Sequence, residues 1–391
     1  MKWLLVLLAL AACERHDGIV LWHAYNGTER EALEASAAKW NAAHPDEPLE
    51  LVAVPYGAFA DKLTSAIPGG NGPDLFIYPQ DRIGDWADAG VIEPIELWVT
   101  DARADLYDED ALASLAYKGS LYGLPLTEKS LALYYRTDLV PTPPATTDEL
   151  LALAPRMTAK QGYALAYTNV DLYGHAPWLF AFGGRILDEH GKLAIATPEA
   201  AKAMAFARQL VATGAAPDHA EGPLVATLFN DGKAATAISG PWFAGDIAKG
   251  VPWAVTTLPI VSPAGKPATP FLGVEGVLMS ARARDKDAAF AAMSALTDDA
   301  AALARMQHTH ELVPNKAAYA GDVLAHDPML AAFRAQLAHT ALLSTEPAMR
   351  MVWTPYMTAL GEVISGRAEP GAQLLATEHE IQGYLQGGGA K

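Results

Sequence analysis

The chain has 391 residues, more than one ordinary core accommodates, which points to two domains. Hydrophobic residues make up 51% and charged residues 19%, a globular composition that excludes a disordered chain. The formal net charge of −17 repels nucleic acid and anionic lipid surfaces, which excludes a DNA or RNA partner and leaves a neutral ligand open.

The N-terminus reads MKWLLVLLALAAC, with Lys2, a short apolar stretch, and small residues before Cys13. This pattern predicts an export signal over residues 1–12 rather than a fold element. No apolar run approaches the roughly 20 residues needed to span a bilayer. The tetrad Leu10-Ala11-Ala12-Cys13 resembles the lipobox of bacterial lipoproteins, which implies cleavage before Cys13 and a lipid on its thiol. Cys13 is the only cysteine, so no disulfide forms within the chain. Residues 13–18 then form a tether. Its five residues Glu14 to Gly18 reach about 17 Å when extended, which would hold the protein close to its membrane.

IVLW (19–22) predicts the first strand. Gly27 breaks the pattern, Thr28 and Glu31 read as a capping box, and Leu33, Ala37 and Trp40 recur at helical spacing. A helix is therefore predicted from Thr28 to about Ala43, stopped by His44-Pro45. LELVAV (49–54) is a second strand, a helix follows from about Ala58, residues 68–73 form a loop, and LFIY (75–78) is a third strand. This alternation argues for a parallel sheet covered by helices on both faces. In open sheets ligands bind beyond the carboxyl ends of strands, where Tyr78, Asp81 and Arg82 fall.

Beyond that the order changes. LYGLPL (121–126) and LALYY (131–135) are extended segments flanking TEKS (127–130), and VPTPPATT (140–147) leads into a helix from Asp148. A second αβ region runs to about Leu272. It contains the helix LVATLFNDG (224–232), the strand AATAIS (234–239) and the turn Gly240-Pro241-Trp242. FLGVEGVLMS (271–280) is another strand. The rest is largely helical, with a start at Asp327-Pro328, and the terminal GGG reads as a frayed tail.

GPDLFIYPQDRIGDWADAGVIEPI (72–95), YKGSLYGLPLTEKSLALYYRTDLVPTPPATTDEL (117–150), LFNDGKAATAISGPW (228–242), VTTLPI (255–260), PFLGV (270–274) and SGR (365–367) together resemble the maltose/maltodextrin-binding proteins. These are the extracytoplasmic solute-binding components of sugar ABC importers. The resemblance implies an α/β, two-lobed periplasmic-binding-protein fold of type II. Each lobe would be a mixed or mostly parallel sheet flanked by helices, built from discontinuous pieces and joined by a hinge. Lobe 1 would comprise 17–126 and 276–326, and lobe 2 would comprise 127–275 and 327–391, with crossings near 126–128, 272–276 and 325–330. It further implies an oligosaccharide ligand of the maltose/maltodextrin class, an ABC permease partner, an envelope location, no enzyme activity and no cofactor.

A sugar offers apolar ring faces that stack on aromatics and hydroxyls that need paired partners, since an unpaired buried polar group costs about 1–3 kcal/mol. Asp81 and Arg82 match the family pair that holds hydroxyls, Tyr78 stands where the family has a stacking Trp, and Glu128 matches its hinge-adjacent glutamate. Trp242, Tyr173 and Trp353 match family aromatics, and Asp171 matches a family glutamate. Asn26 stands where the family has Asp. Ala176 and Ala244 replace large aromatics, Thr354-Pro355 interrupts the aromatic run after Trp353, and Thr147 replaces a Trp, which implies weaker outer subsites. His23, Tyr25 and Tyr56 are further candidates near the cleft. Trehalose, another disaccharide or glycerol phosphate is an alternative ligand. A glycosidase using Asp81 and Glu128 is a remote alternative, because Arg82 beside Asp81 should keep it ionised. His308, His310 and Glu311 do not make a metal site, because alternate helical positions do not share a face.

Overall fold

The computed structural model describes residues 18–386. The export signal, Cys13, the tether up to residue 17 and the GGG tail lie outside the described residues. Two mixed sheets, each with helices on both faces, organise the chain into two lobes.

The first sheet runs in the order Leu49–Ala53, Ile19–His23, Leu75–Pro79, Phe271–Met279. Ile19–His23 is parallel to both neighbours, and Phe271–Met279 is antiparallel to Leu75–Pro79. Side chains alternate across it, as the two-residue period of a strand requires. Leu21, Leu75 and Ile77 pack with Leu33 and Met293 on one face, while Trp22, Phe76 and Tyr78 pack with Phe59 and Trp86 on the other. Burial on both faces explains the unbroken apolar run LFIY.

Helix Gly27–Ala43 begins one residue earlier than the sequence suggests. Gly27, at φ 51, turns the chain into it after Asn26, whose side chain makes no capping bond. The expected Thr28/Glu31 capping box is therefore not formed, and Glu31 Oε2 instead meets His308 Nε2 at 2.9 Å. Helix Tyr56–Ala66 also starts early, directly after Pro55. Helix Pro328–Gln336 starts where expected. Asp327 accepts a 2.9 Å bond from the Leu330 N–H at its first turn.

The second sheet runs Trp253–Thr256, Ala132–Arg136, Ala234–Ser239, Tyr163–Ala166. Its main core gathers Leu133, Leu165, Trp178, Phe206 and Leu360. Two of the segments that join the lobes are traced by the cores they enter. In one, Leu124 and Leu126 lie in a first-lobe core while Leu131 and Leu133 lie in the second. In the other, strand Phe271–Met279 starts with Phe271 in the second lobe's core and ends with Val277 and Met279 in the first.

Strand Gly123–Lys129 pairs antiparallel with Phe271–Met279. Glu275 faces Thr127 but Gly276 faces Pro125, so Leu126 is an extra residue in the ladder. A bulge of this kind re-aims the side chains beside it. Gly276 lets the Leu115 side chain pack close there, since a Cβ would come 2.8 Å from its terminal methyl and make it shift.

Candidate functional site

A cavity of about 600 Å³ opens between the lobes, within the range of small-molecule sites. The first lobe and the crossing strands contribute Tyr25, Glu29, Tyr56, Asp81, Lys129 and Glu275, and the second contributes Tyr173, Trp242 and Trp353. A second cavity, about 460 Å³, lies beside helices Gly27–Ala43 and Asp299–Thr309. Seven of its fifteen lining residues are alanine and it lacks facing aromatic walls, so the interlobe cavity is the candidate site.

Two aromatic walls border it. On the first lobe Tyr56, 58% exposed, stacks on Tyr78 with centroids 5.7 Å apart and planes 6° from parallel. Tyr78 is itself buried against Phe59 at 5.5 Å and Trp86 at 4.9 Å. On the second lobe Tyr173 lies 6.5 Å from Trp242 and stacks at 5.9 Å on Phe271, which lies 6.3 Å from Trp353. Trp242 is 48% exposed, leaving ring surface open.

Charged groups form a floor. Lys129 Nζ lies 2.6 Å from Glu29 Oε1, 3.2 Å from Glu275 Oε2 and 3.7 Å from Glu311 Oε1. Tyr25 donates its hydroxyl to Glu275 Oε2 at 2.7 Å, and Thr127 donates to the same oxygen at 3.1 Å. Burial alone would depress the Lys129 ammonium, but Glu275 and Glu311 hold its pKa well above the usual lysine value. Burial pushes the Glu311 carboxyl upward despite Lys129.

Asp81 lines the cavity, and its Oδ1 is buried with no hydrogen-bond partner among the described residues. Burial raises its pKa to about 6, and the opposing charge of Arg82 does not cancel that effect. A desolvated carboxyl with an unused acceptor suits a ligand hydroxyl.

The profile of the bacterial extracellular solute-binding protein family matches residues 35–332. This chain belongs to that family. The solute-binding protein is 28% identical to the maltotriose-binding protein of Pyrococcus abyssi (strain GE5 / Orsay), over 94% of this chain and 83% of that one. It is 26% identical to a maltooligosaccharide ABC transporter solute-binding lipoprotein of Streptococcus pneumoniae (strain ATCC BAA-255 / R6), over 79% of this chain and 75% of the relative. Its fold superposes with a TM-score of 0.87 on a cyclo/maltodextrin-binding protein complexed with maltotetraose, at 28% identity, covering 96% of this chain and 98% of that one. The two-lobed α/β architecture expected from the sequence is thus the architecture of this solute-binding protein.

Of the sequence-derived site residues, the structure brings Asp81, Tyr173, Trp242 and Trp353 to one cavity. Tyr78 stands one layer behind, supporting Tyr56. Arg82 sits beside Asp81 but points its charge toward Asp85, 3.9 Å away. Asp171 caps helix Leu172–Ala181, accepting a 2.6 Å bond from the Tyr173 N–H, so it fixes the turn that carries Tyr173. Asn26 is exposed and outside the cavity lining, with its amide donating to the Ala24 carbonyl at 3.3 Å.

Glu128 is elsewhere. Neighbouring strand residues point to opposite faces, and Lys129 takes the cavity side. Glu128 is turned away, buried, 3.8 Å from Arg334 and close enough to Asp108 to feel its charge. Burial, with Asp108 adding to it, raises its pKa to about 8. The Lys129 cluster, Tyr25, Tyr56 and Glu275 were the less legible part of the site. Tyr25 and Tyr56 carried an aromatic signal near strand ends, whereas Lys129 and Glu275 carried none without the strand register. His310 caps its helix in the left-handed conformation and pairs with Asp327 at 2.6 Å, away from His308.

Proposed function

We propose that this solute-binding protein is the sugar-capturing subunit of an ABC importer, taking maltooligosaccharide-class ligands into the interlobe cavity. The observation that carries the reading is the pairing of two aromatic walls, one from each lobe, with a charged floor and an unpartnered Asp81 oxygen. Tyr56 and Trp242 would cover the pyranose faces, while Asp81 and the Lys129 cluster would meet hydroxyls. The lobes, 17–126 with 276–326 and 127–275 with 327–391, would close by bending at the crossing segments, and the closed form would dock on the permease. Micromolar affinity corresponds to about −8 kcal/mol, within reach of stacked faces and charge-assisted hydrogen bonds after ordering costs.

The lining argues against a phosphate ligand. Lys129, its one basic side chain among the described residues, is already engaged by Glu29 and Glu275. Hydrolysis is disfavoured too. Glu128 faces away from Asp81's cavity, and Glu275 is held by Lys129, Tyr25 and Thr127. Export with lipid attachment at Cys13 completes the reading, on the strength of the lipobox-like tetrad. Mass spectrometry of the protein from a lipoprotein-processing host checks it, and an unmodified thiol would remove the anchor.

Thermal-shift and calorimetric titration with maltose, maltotriose, trehalose and glycerol 3-phosphate test the ligand assignment. Ligand at 100 times its Kd stabilises by about 2.7 kcal/mol. Stabilisation by glycerol 3-phosphate alone would overturn the assignment, and cleavage of maltotriose would overturn the binding-only reading.

A further inference from the structure

Trp242 presents a half-exposed indole to the cavity from a very short helical turn, Phe243–Asp246, with no long element to steady it. What fixes the ring lies two residues earlier. Gly240 is buried, and a Cβ built on it would clash with the benzo ring of Trp242, 2.6 Å from Cε3 and closer still to Cζ3 and Cη2. Real carbon atoms do not approach so closely. The indole therefore folds back onto the face that Gly240 leaves bare.

The turn beneath the ring is itself held. The Gly240 carbonyl accepts from the Tyr134 hydroxyl at 3.0 Å and from the Phe243 N–H at 3.1 Å. Tyr134 is fully buried, edge-on to Phe243 at 5.0 Å. With its carbonyl tied twice, the backbone at Gly240 cannot swing a new methyl group aside, so the ring would have to move. Gly240 is not among the positive-φ glycines, so its backbone is one that alanine adopts without strain.

We propose that Gly240 is a positioning residue for the sugar site: its missing side chain, on a turn anchored by Tyr134, seats the Trp242 indole so that it lines the cavity before ligand arrives. This rests on the reading of Trp242 as a stacking platform. Preorganisation of this kind improves affinity by removing an ordering cost, without adding a contact.

The test uses the intact protein and four variants: Gly240→Ala, Trp242→Ala, Trp242→Phe and Gly240→Ala/Trp242→Phe. Gly240→Ala is expected to weaken maltotriose binding by about tenfold, measured by calorimetry. Its melting temperature should not fall, because alanine restricts the unfolded chain more than glycine does. With 5-fluorotryptophan incorporated, the ¹⁹F resonance that Trp242→Ala deletes should move in Gly240→Ala. Phe lacks the ring carbons that occupy the Cβ position. Gly240→Ala/Trp242→Phe should therefore bind like Trp242→Phe, within about twofold. A Gly240→Ala protein with unchanged affinity and an unmoved resonance would overturn the proposal, as would an added loss in the Trp242→Phe background. If the wild-type protein bound none of the sugars, the functional reading would fail, while the resonance shift would still decide how the ring is seated.

Discussion

Replacing Lys129 by methionine keeps an unbranched side chain one atom shorter and removes the cation at the centre of the floor. Lys129 is 17% exposed, and its partners Glu29, Glu275 and Glu311 are 27%, 14% and 7% exposed. Solvent therefore screens this cluster weakly. Breaking a buried pair by removing one partner costs about 3–5 kcal/mol, because the remaining charges are left uncompensated. The partial exposure of Glu29 places the expected loss near the lower end, about 3 kcal/mol at neutral pH. The loss should depend on pH in a defined direction. Burial already holds the Glu311 carboxyl above its usual value despite Lys129, and removing the ammonium removes what opposes that rise. Such a group contributes stability that is fully present below the unfolded value, about 4.3 for glutamate, and lost as pH rises through the folded one. Urea unfolding of wild type and Lys129→Met at about pH 5.5 and about pH 8.5 should therefore show a smaller gap at the lower pH. A variant as stable as wild type at the higher pH, or a gap that widens on acidification, would show that the ammonium does not hold these carboxylates together.

Glu128→Gln, on the other side of the same strand, should leave maltotriose affinity within about twofold of wild type. Its raised pKa of about 8 makes wild-type stability decline as pH rises from the ordinary glutamate range through about 8, and the variant should flatten that slope in urea titrations. Tyr56→Ala should weaken binding by about tenfold with little change in the unfolding midpoint, whereas Tyr78→Ala should cost about 3–5 kcal/mol of stability by opening the core behind it. Asp74 accepts from the backbone N–H groups of Val20 and Arg284 and from the Arg284 guanidinium. Burial would raise its carboxyl, but these donors hold it below the usual value. Asp74→Ala should therefore cost about 2–4 kcal/mol at neutral pH, a difference that disappears as acid protonates the wild-type carboxylate.

The order of elements was readable because each rests on local signals. The apolar run LFIY, the start at Asp327-Pro328 and the strand AATAIS all emerged where spacing placed them. Helix starts were less readable. Gly27 and Pro55 turned the chain into helix one or two residues early, which the apolar periodicity could not register. Tyr56 acquired its cavity-facing place through that early start. Asp81, Tyr173, Trp242 and Trp353 share the cavity, as the family resemblance implied. The Glu128–Lys129 pair shows where such reading stops. In a strand, adjacent residues face opposite ways, and a single extra residue at Leu126 decides which way. That decision comes from pairing with Phe271–Met279, a partner more than a hundred residues away in sequence.

Strand Phe271–Met279 also bears on how the molecule comes apart. Its first residue is embedded in one lobe's core and its last in the other's. Neither lobe can melt without withdrawing support from a segment its neighbour needs. Heating should therefore give one calorimetric transition rather than two, and a saturating ligand should shift that single peak as a whole.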